Sequence, residues 1–126
     1  MIVLDTQALV WMILAPKKLT RKAAETIASA ETLVIPSICL WEISMLVHYG
    51  RLELPCPPLD WLEQICSLTR IRLQDITPGI AALSGTTSMH GDPADRLVVA
   101  TAKALELPLI TADRKIRDLG VVPTIW

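Results

Sequence analysis

Ile2-Val3-Leu4-Asp5-Thr6-Gln7-Ala8-Leu9-Val10-Trp11 decides the fold. Ile2-Val3-Leu4 reads as a short apolar strand that stops at Asp5. Gln7 to Leu14 follows as an apolar helix ended by Pro16. The same alternation continues along the chain. Thr20 is placed to cap a helix running to Ala30, Leu33-Val34-Ile35 is a second strand, and Pro36-Ser37 opens a long helix closed by Gly50. A helix over about Leu59 to Leu68 precedes an alternating strand, Ile71 to Ile76. Thr77-Pro78 and Asp92-Pro93 each place proline at a first helical position, starting helices into Leu83 and to about Glu106. Leu107 to Thr111, a short helix over Asp113 to Leu119, and Val121 to Trp126 complete five strands. Strands alternating with helices are the pattern of a parallel sheet covered by helices. There is no repeat, low-complexity tract or linker, so residues 1–126 are expected to form one domain.

Composition supports a packed protein. Of 126 residues, 52% are hydrophobic and 20% charged, which excludes a disordered or collagen-like chain. The richest apolar stretch, Ala8 to Ala15, is far shorter than the ~20 residues of a membrane helix. The first residues lack a basic leader and reach a carboxylate at position 5, so a secretory signal is not expected and the cytoplasm is. Twelve basic against thirteen acidic residues give a net charge of −1, which disfavours a coat that holds nucleic acid by charge alone. It does not disfavour an enzyme that meets phosphate through a bound cation. Cys39, Cys56 and Cys66 form no C-x-x-C pair and read as buried reduced thiols. His48 and His90 lie in no cluster with them, so zinc is not expected.

In an open α/β sheet ligands bind at the carboxyl ends of strands, near the point where strand order reverses. Asp5 and Asp113 occupy two such ends, although an aspartate there also suits a helix cap. Glu42 sits in an almost wholly apolar helix with Ile38, Cys39, Met45 and Leu46 on its side. A carboxylate in such a stripe must find a partner, shift its pKa or bind a cation. Asp92 and Asp95 share one face at the start of a helix. Asp92 has the signature of the cap, and Asp95 borders the core beside Val98, Val99 and Ala102. Brought to one end of the sheet, Asp5, Glu42, Asp95 and Asp113 would not all stay ionised without a cation. An all-oxygen set suits Mg²⁺ or Mn²⁺.

Asp5-Thr6-Gln7-Ala8-Leu9-Val10-Trp11, Trp41-Glu42-Ile43, His90-Gly91-Asp92-Pro93-Ala94-Asp95-Arg96-Leu97 and Thr111-Ala112-Asp113 occur in that order. With them the chain resembles the PIN-domain ribonucleases, and within them the VapC-type toxins of bacterial toxin–antitoxin pairs. The likeness runs over essentially the whole chain. It implies a three-layer α/β/α sandwich with a central parallel five-stranded sheet, and a Mg²⁺- or Mn²⁺-dependent endoribonuclease. Asp5, Glu42, Asp95 and Asp113 match the family's acidic site. Asp5 and Asp95 are then direct metal ligands, Asp113 binds directly or through water, and Glu42 orients a metal-bound water. Thr6 and Thr111 are hydroxyl supports, Asp92 is left to the cap, and Arg96 is a phosphate or carboxylate partner. The resemblance also implies homodimers and a VapB-type antitoxin covering the groove.

Lys17, Lys18, Arg21 and Lys22 form a basic cluster, either a solvated helix face or the rim along which RNA runs. Trp11, Trp41 and Trp126 are candidates for interfaces, because high hydropathy in a small protein leaves apolar surface over. Two other readings fit less well. Aspartate-based phosphotransfer asks for a second acid at Gln7, or for adjacent acids and a late lysine, and neither occurs. A non-catalytic PIN-like binding module has no need of all four acids.

Overall fold

A computed structural model describes residues 1–126. The chain runs β1 (Ile2–Leu4), α1 (Thr6–Leu14), a 3₁₀ turn over Pro16–Lys18, α2 (Arg21–Ser29), β2 (Leu33–Pro36) and α3 (Ile38–His48). It continues with α4 (Pro58–Ser67), β3 (Ile71–Gln74), α5 (Pro78–Thr86), α6 (Pro93–Leu105), β4 (Leu109–Ile110), α7 (Arg114–Leu119) and β5 (Thr124–Ile125). All five strands are parallel, in the order β3-β2-β1-β4-β5. Seven α-helices flank this sheet, as the alternating sequence pattern requires.

The central strand, β1, carries Ile2, Val3 and Leu4, all buried. Val3 is registered with Val34 on one side and Leu109 on the other, and Leu4 with Ile110. Covered edges and covered faces explain why these strands are unbroken aliphatic runs rather than alternating ones. The chain first builds outward from β1 through β2 to β3, then returns to the other side of β1 for β4 and β5. The strand order therefore reverses between β1 and β4, directly beneath Asp5.

The helix starts follow local chemistry. Asp5, Thr20, Thr77, Asp92 and Asp113 each accept a backbone N–H in the first turn of the helix that follows. Gly50 and Gly120 adopt positive φ, 69° and 64°, immediately past α3 and α7, where a side chain would be strained. Ile71 to Ile76 shortens to Ile71–Gln74, because β3 is an edge strand whose last residues have no further partner. The thiols differ from expectation. Cys39 is buried, but Cys56 is half-buried and Cys66 exposed, since α4 lies on the outside with only Trp61 and Ile65 turned inward. No helix is long and apolar enough to cross a membrane.

Candidate active site

Because every strand is parallel, their carboxyl ends lie along one edge of the sheet, and the acids collect there. Asp5 follows β1 and Asp113 lies three residues past β4. α3 packs on β2 and against α1 and α6, which brings Glu42 and Asp95 over the same edge. Asp5, Glu42, Asp95 and Asp113 line one cavity of about 320 Å³, together with Thr6, Gln7, Trp11 and Leu46. A second hollow of about 430 Å³ shares Asp95 and Asp113 and adds His90, Asp92, Arg114 and Lys115.

The carboxylates are not equivalent. Oxygens of Glu42, Asp92 and Asp95 lie within 4.8 Å of one another, forming the tightest group. Asp5 is set deeper, about nine-tenths buried, and burial pushes its carboxyl up to about 6. A hydrogen bond from Thr111 and one from the Ala8 N–H pull it down, while the charges of Asp95 and Glu42 raise it further. Burial also raises Asp95 and Glu42, and each of them feels Asp92 as well. Asp95 is the acid common to all of these repulsions, with Asp5, Glu42, Asp92 and Asp113.

Side chains around the acids hold them in place. The Thr6 hydroxyl donates to Glu42 Oε1. Thr111, fully buried, faces Asp5 and accepts the Asp113 N–H at 3.1 Å. His90 Nε2 lies 2.8 Å from Asp95 Oδ2. Asp92 Oδ1 accepts the Asp95 N–H at 3.0 Å, the bond of a helix cap. Asp5 Oδ1 accepts from Ala8, and Asp113 Oδ1 from Lys115 and Ile116. In all three aspartates the cap bond is made by Oδ1 alone, and Asp5 and Asp113 line the cavity while capping their helices.

Arg96 departs from the sequence-based expectation. Its guanidinium faces neither a carboxylate nor the acidic cavity. Nε donates to the Ser84 carbonyl at 2.8 Å, Nη1 to Met89 and His90 at 2.8 and 3.1 Å, and Nη2 to Thr87 at 2.7 Å. It ties the loop before α6 to its own helix, a role invisible in sequence because the partners are carbonyls. Arg114 and Lys115, which the sequence reading passed over, stand beside Asp113 and Asp95 instead. Their adjacency to a candidate acid was the available signal. Of the Lys17, Lys18, Arg21 and Lys22 cluster, Arg21 is paired with Glu25 at 2.9 Å.

The set fits a hard divalent cation. Four oxygen-bearing acids share one hollow that no thiol lines, and burial, reinforced by neighbouring negative charge, holds the carboxyls of Asp5, Glu42 and Asp95 above their ordinary range.

The PIN domain family model matches residues 2–122. The chain belongs to the PIN-domain family. This PIN domain is 35% identical over 119 residues to Ribonuclease VapC22 of Mycobacterium tuberculosis, covering 93% of this chain and 90% of that one. Among solved structures, its fold is similar to VapC20 of Mycobacterium tuberculosis, a Sarcin-Ricin loop cleaving toxin. The TM-score is 0.71 at 14% identity, over 95% of each chain. It is also similar to VapBC2 from Rickettsia felis, solved bound to a promoter DNA fragment. There the TM-score is 0.69 at 18% identity, over 98% of this chain and 97% of that one. At these identities the structural likenesses speak for the PIN fold alone.

Proposed function

We propose that residues 1–126 form a single PIN-like domain that hydrolyses RNA phosphodiester bonds as a metal-dependent endoribonuclease, the toxin of a type II toxin–antitoxin pair. The observation that carries the reading is the convergence of Asp5, Glu42, Asp95 and Asp113 on one cavity at the switch point of the sheet. The relative with which it shares 35% identity is named a ribonuclease, which supports the same chemistry.

Asp5, Asp95 and Asp113 would hold Mg²⁺ or Mn²⁺, with Glu42 beside them. Such an ion supplies charge for the phosphate oxygens and lowers the pKa of water. The chain's own contribution is placement. Thr111 fixes the carboxylate of Asp5 and the backbone of Asp113, so the ends of β1 and β4 present their acids at constant separation. His90 holds Asp95 from the loop side. Thr6 orients Glu42, whose raised pKa suits it to accept a proton from attacking water. Arg114 and Lys115 stand where they would attract an RNA phosphate toward an otherwise anionic hollow.

A VapB-type antitoxin and a second copy of this chain are the proposed protein partners, in the cytoplasm. One structure of similar fold is a toxin–antitoxin complex from Klebsiella pneumoniae, and two others are VapBC complexes bound to DNA, from Rickettsia felis and Salmonella typhimurium. On this chain Trp41 of α3 and Tyr49 just past its end are more than half exposed, beside a hollow of about 340 Å³ that borders Glu42. Exposed aromatics so near the acids suit a covering protein.

The test is cleavage of a mixed RNA panel in Mg²⁺, in Mn²⁺ and in EDTA, beside Asp95→Asn. Cutting that needs the metal and disappears in the variant supports the assignment. Folded, antitoxin-free protein that cuts nothing under any metal would overturn it.

A further inference from the structure

Trp11 lies on α1 and forms part of the wall of the acidic cavity. Unlike Trp61, which is 3% exposed and belongs to the core, Trp11 is only half-buried. Its ring centroid lies 5.7 Å from that of Trp126, with the planes tilted by 44°, so the two indoles do not stack face to face. Lys18, on the 3₁₀ turn that follows α1, places Nζ 5.7 Å from the same ring centroid. Lys18 is exposed and has no carboxylate within ion-pair distance, and the same holds for its neighbour Lys17. Trp11 thus stands between the acidic cavity that it lines and the unpaired ammonium of Lys18.

That surface addresses a problem of charge. A hollow ringed by carboxylates repels RNA, so the strand must be gripped beside it rather than within it. An ammonium resting over an aromatic face is held by the ring's negative quadrupole and exchanges readily for another partner. Nucleobases stack on such faces, and do so with little regard to sequence.

We propose that Trp11 and Lys18 form a nucleotide subsite beside the acidic centre: a base of single-stranded RNA stacks on the Trp11 indole in place of the Lys18 ammonium, which moves to the neighbouring phosphate. The inference rests on the ribonuclease reading and sharpens it, because only an unpaired base can offer its face. A duplex, whose bases already stack on one another, offers this subsite no free face.

The experiment uses full-length Asp95→Asn protein in Mg²⁺, so that RNA binds without being cut. It is titrated with a single strand of about twelve nucleotides and with its duplex, following tryptophan fluorescence. The single strand quenches the emission and binds more tightly than the duplex. Trp11→Phe, which keeps a ring in the packing, removes most of the quench and weakens binding roughly fivefold. Lys18→Ala, at an exposed position that cannot unfold the chain, weakens binding and flattens the slope of log K against log salt by about 0.7. Unchanged affinity and quench in both variants, while the wild type cuts RNA, would overturn the subsite alone. A wild type that neither cuts nor binds RNA would overturn the ribonuclease reading and the subsite with it.

Discussion

The hydroxyl of Thr6 donates to the carboxylate of Glu42, joining the first turn of α1 to the middle of α3 across 36 positions of sequence. Neither residue marks the other in the sequence. Thr6 is buried and Glu42 only partly so, and the bond fixes which way the carboxylate faces.

Thr6→Val keeps the shape and removes the donor. A hydrogen bond to a charged group contributes about 1.5 to 3 kcal/mol. Metal-dependent cleavage is expected to fall about tenfold or more, while Thr6→Ser retains most of the activity. Equal rates for the valine and serine variants would show that Glu42 needs no such orientation.

Asp5 predicts how the metal-free protein responds to pH. Its folded value, about 6, lies above the ordinary 3.8, mainly through burial. Protonation then favours the folded chain, so this group's contribution is present below pH 3.8, is lost between 3.8 and about 6, and stays lost above. The span corresponds to about 3 kcal/mol. Asp5→Asn keeps an oxygen for the Ala8 cap and removes the charge. In EDTA at neutral pH it is expected to melt about 10 °C above the wild type. A variant that melts lower would mean that ionised Asp5 is not the liability its burial implies.

Asp92 and Asp95 can now be separated by substitution. Both carboxylates belong to the tight group with Glu42, yet Asp92 is exposed, whereas Asp95 is half-buried and its charge also reaches Asp5 and Asp113. Asn caps as well as Asp. Asp92→Asn should leave stability unchanged and lower cleavage less than tenfold, and Asp95→Asn should lower it at least a hundredfold, a difference of ~1.4 kcal/mol or more. The reverse order of the two rates would move the essential ligand to Asp92.

Arg96 is expected to matter for stability first. Its four carbonyl bonds anchor the loop that carries His90 to Asp95. Arg96→Met leaves those carbonyls unpaired and should destabilise the fold by about 2 to 4 kcal/mol. Hydrogen exchange should show the loop before α6 losing protection before the sheet does. Uniform loss of protection, with that loop no faster than β1, would contradict the anchoring role.

Much of this architecture was legible. Short aliphatic runs ending at acids gave the parallel strands, because strands buried on both faces have no room for polar alternation. Thr20, Thr77 and Asp92 marked helix starts correctly, because capping is a local interaction between a side chain and an N–H three residues on. Cap and site are not alternatives at Asp5 and Asp113, since each accepts a helix N–H and also lines the cavity. What escaped the sequence was non-local or aimed at the backbone. Arg96 reaches carbonyls, Arg114 and Lys115 are brought to Asp95 by the β4 turn, and Lys18 meets Trp11 through the bend at Pro16.

The placement of β4 beside β1 has a further consequence for when the protein becomes dangerous to the cell that makes it. Residues 5, 42, 95 and 113 share one cavity only after a late strand has returned to pair with the first one synthesised. A fragment that ends before β4 carries Asp5, Glu42 and Asp95 but lacks Asp113, the Thr111 that steadies Asp5, and the strand that pairs with β1. Long-range parallel pairing is slow to form and resists partial assembly. A nascent chain stalled before Leu109 should cut no RNA, so translation itself delays the activity until the last acid has been laid down.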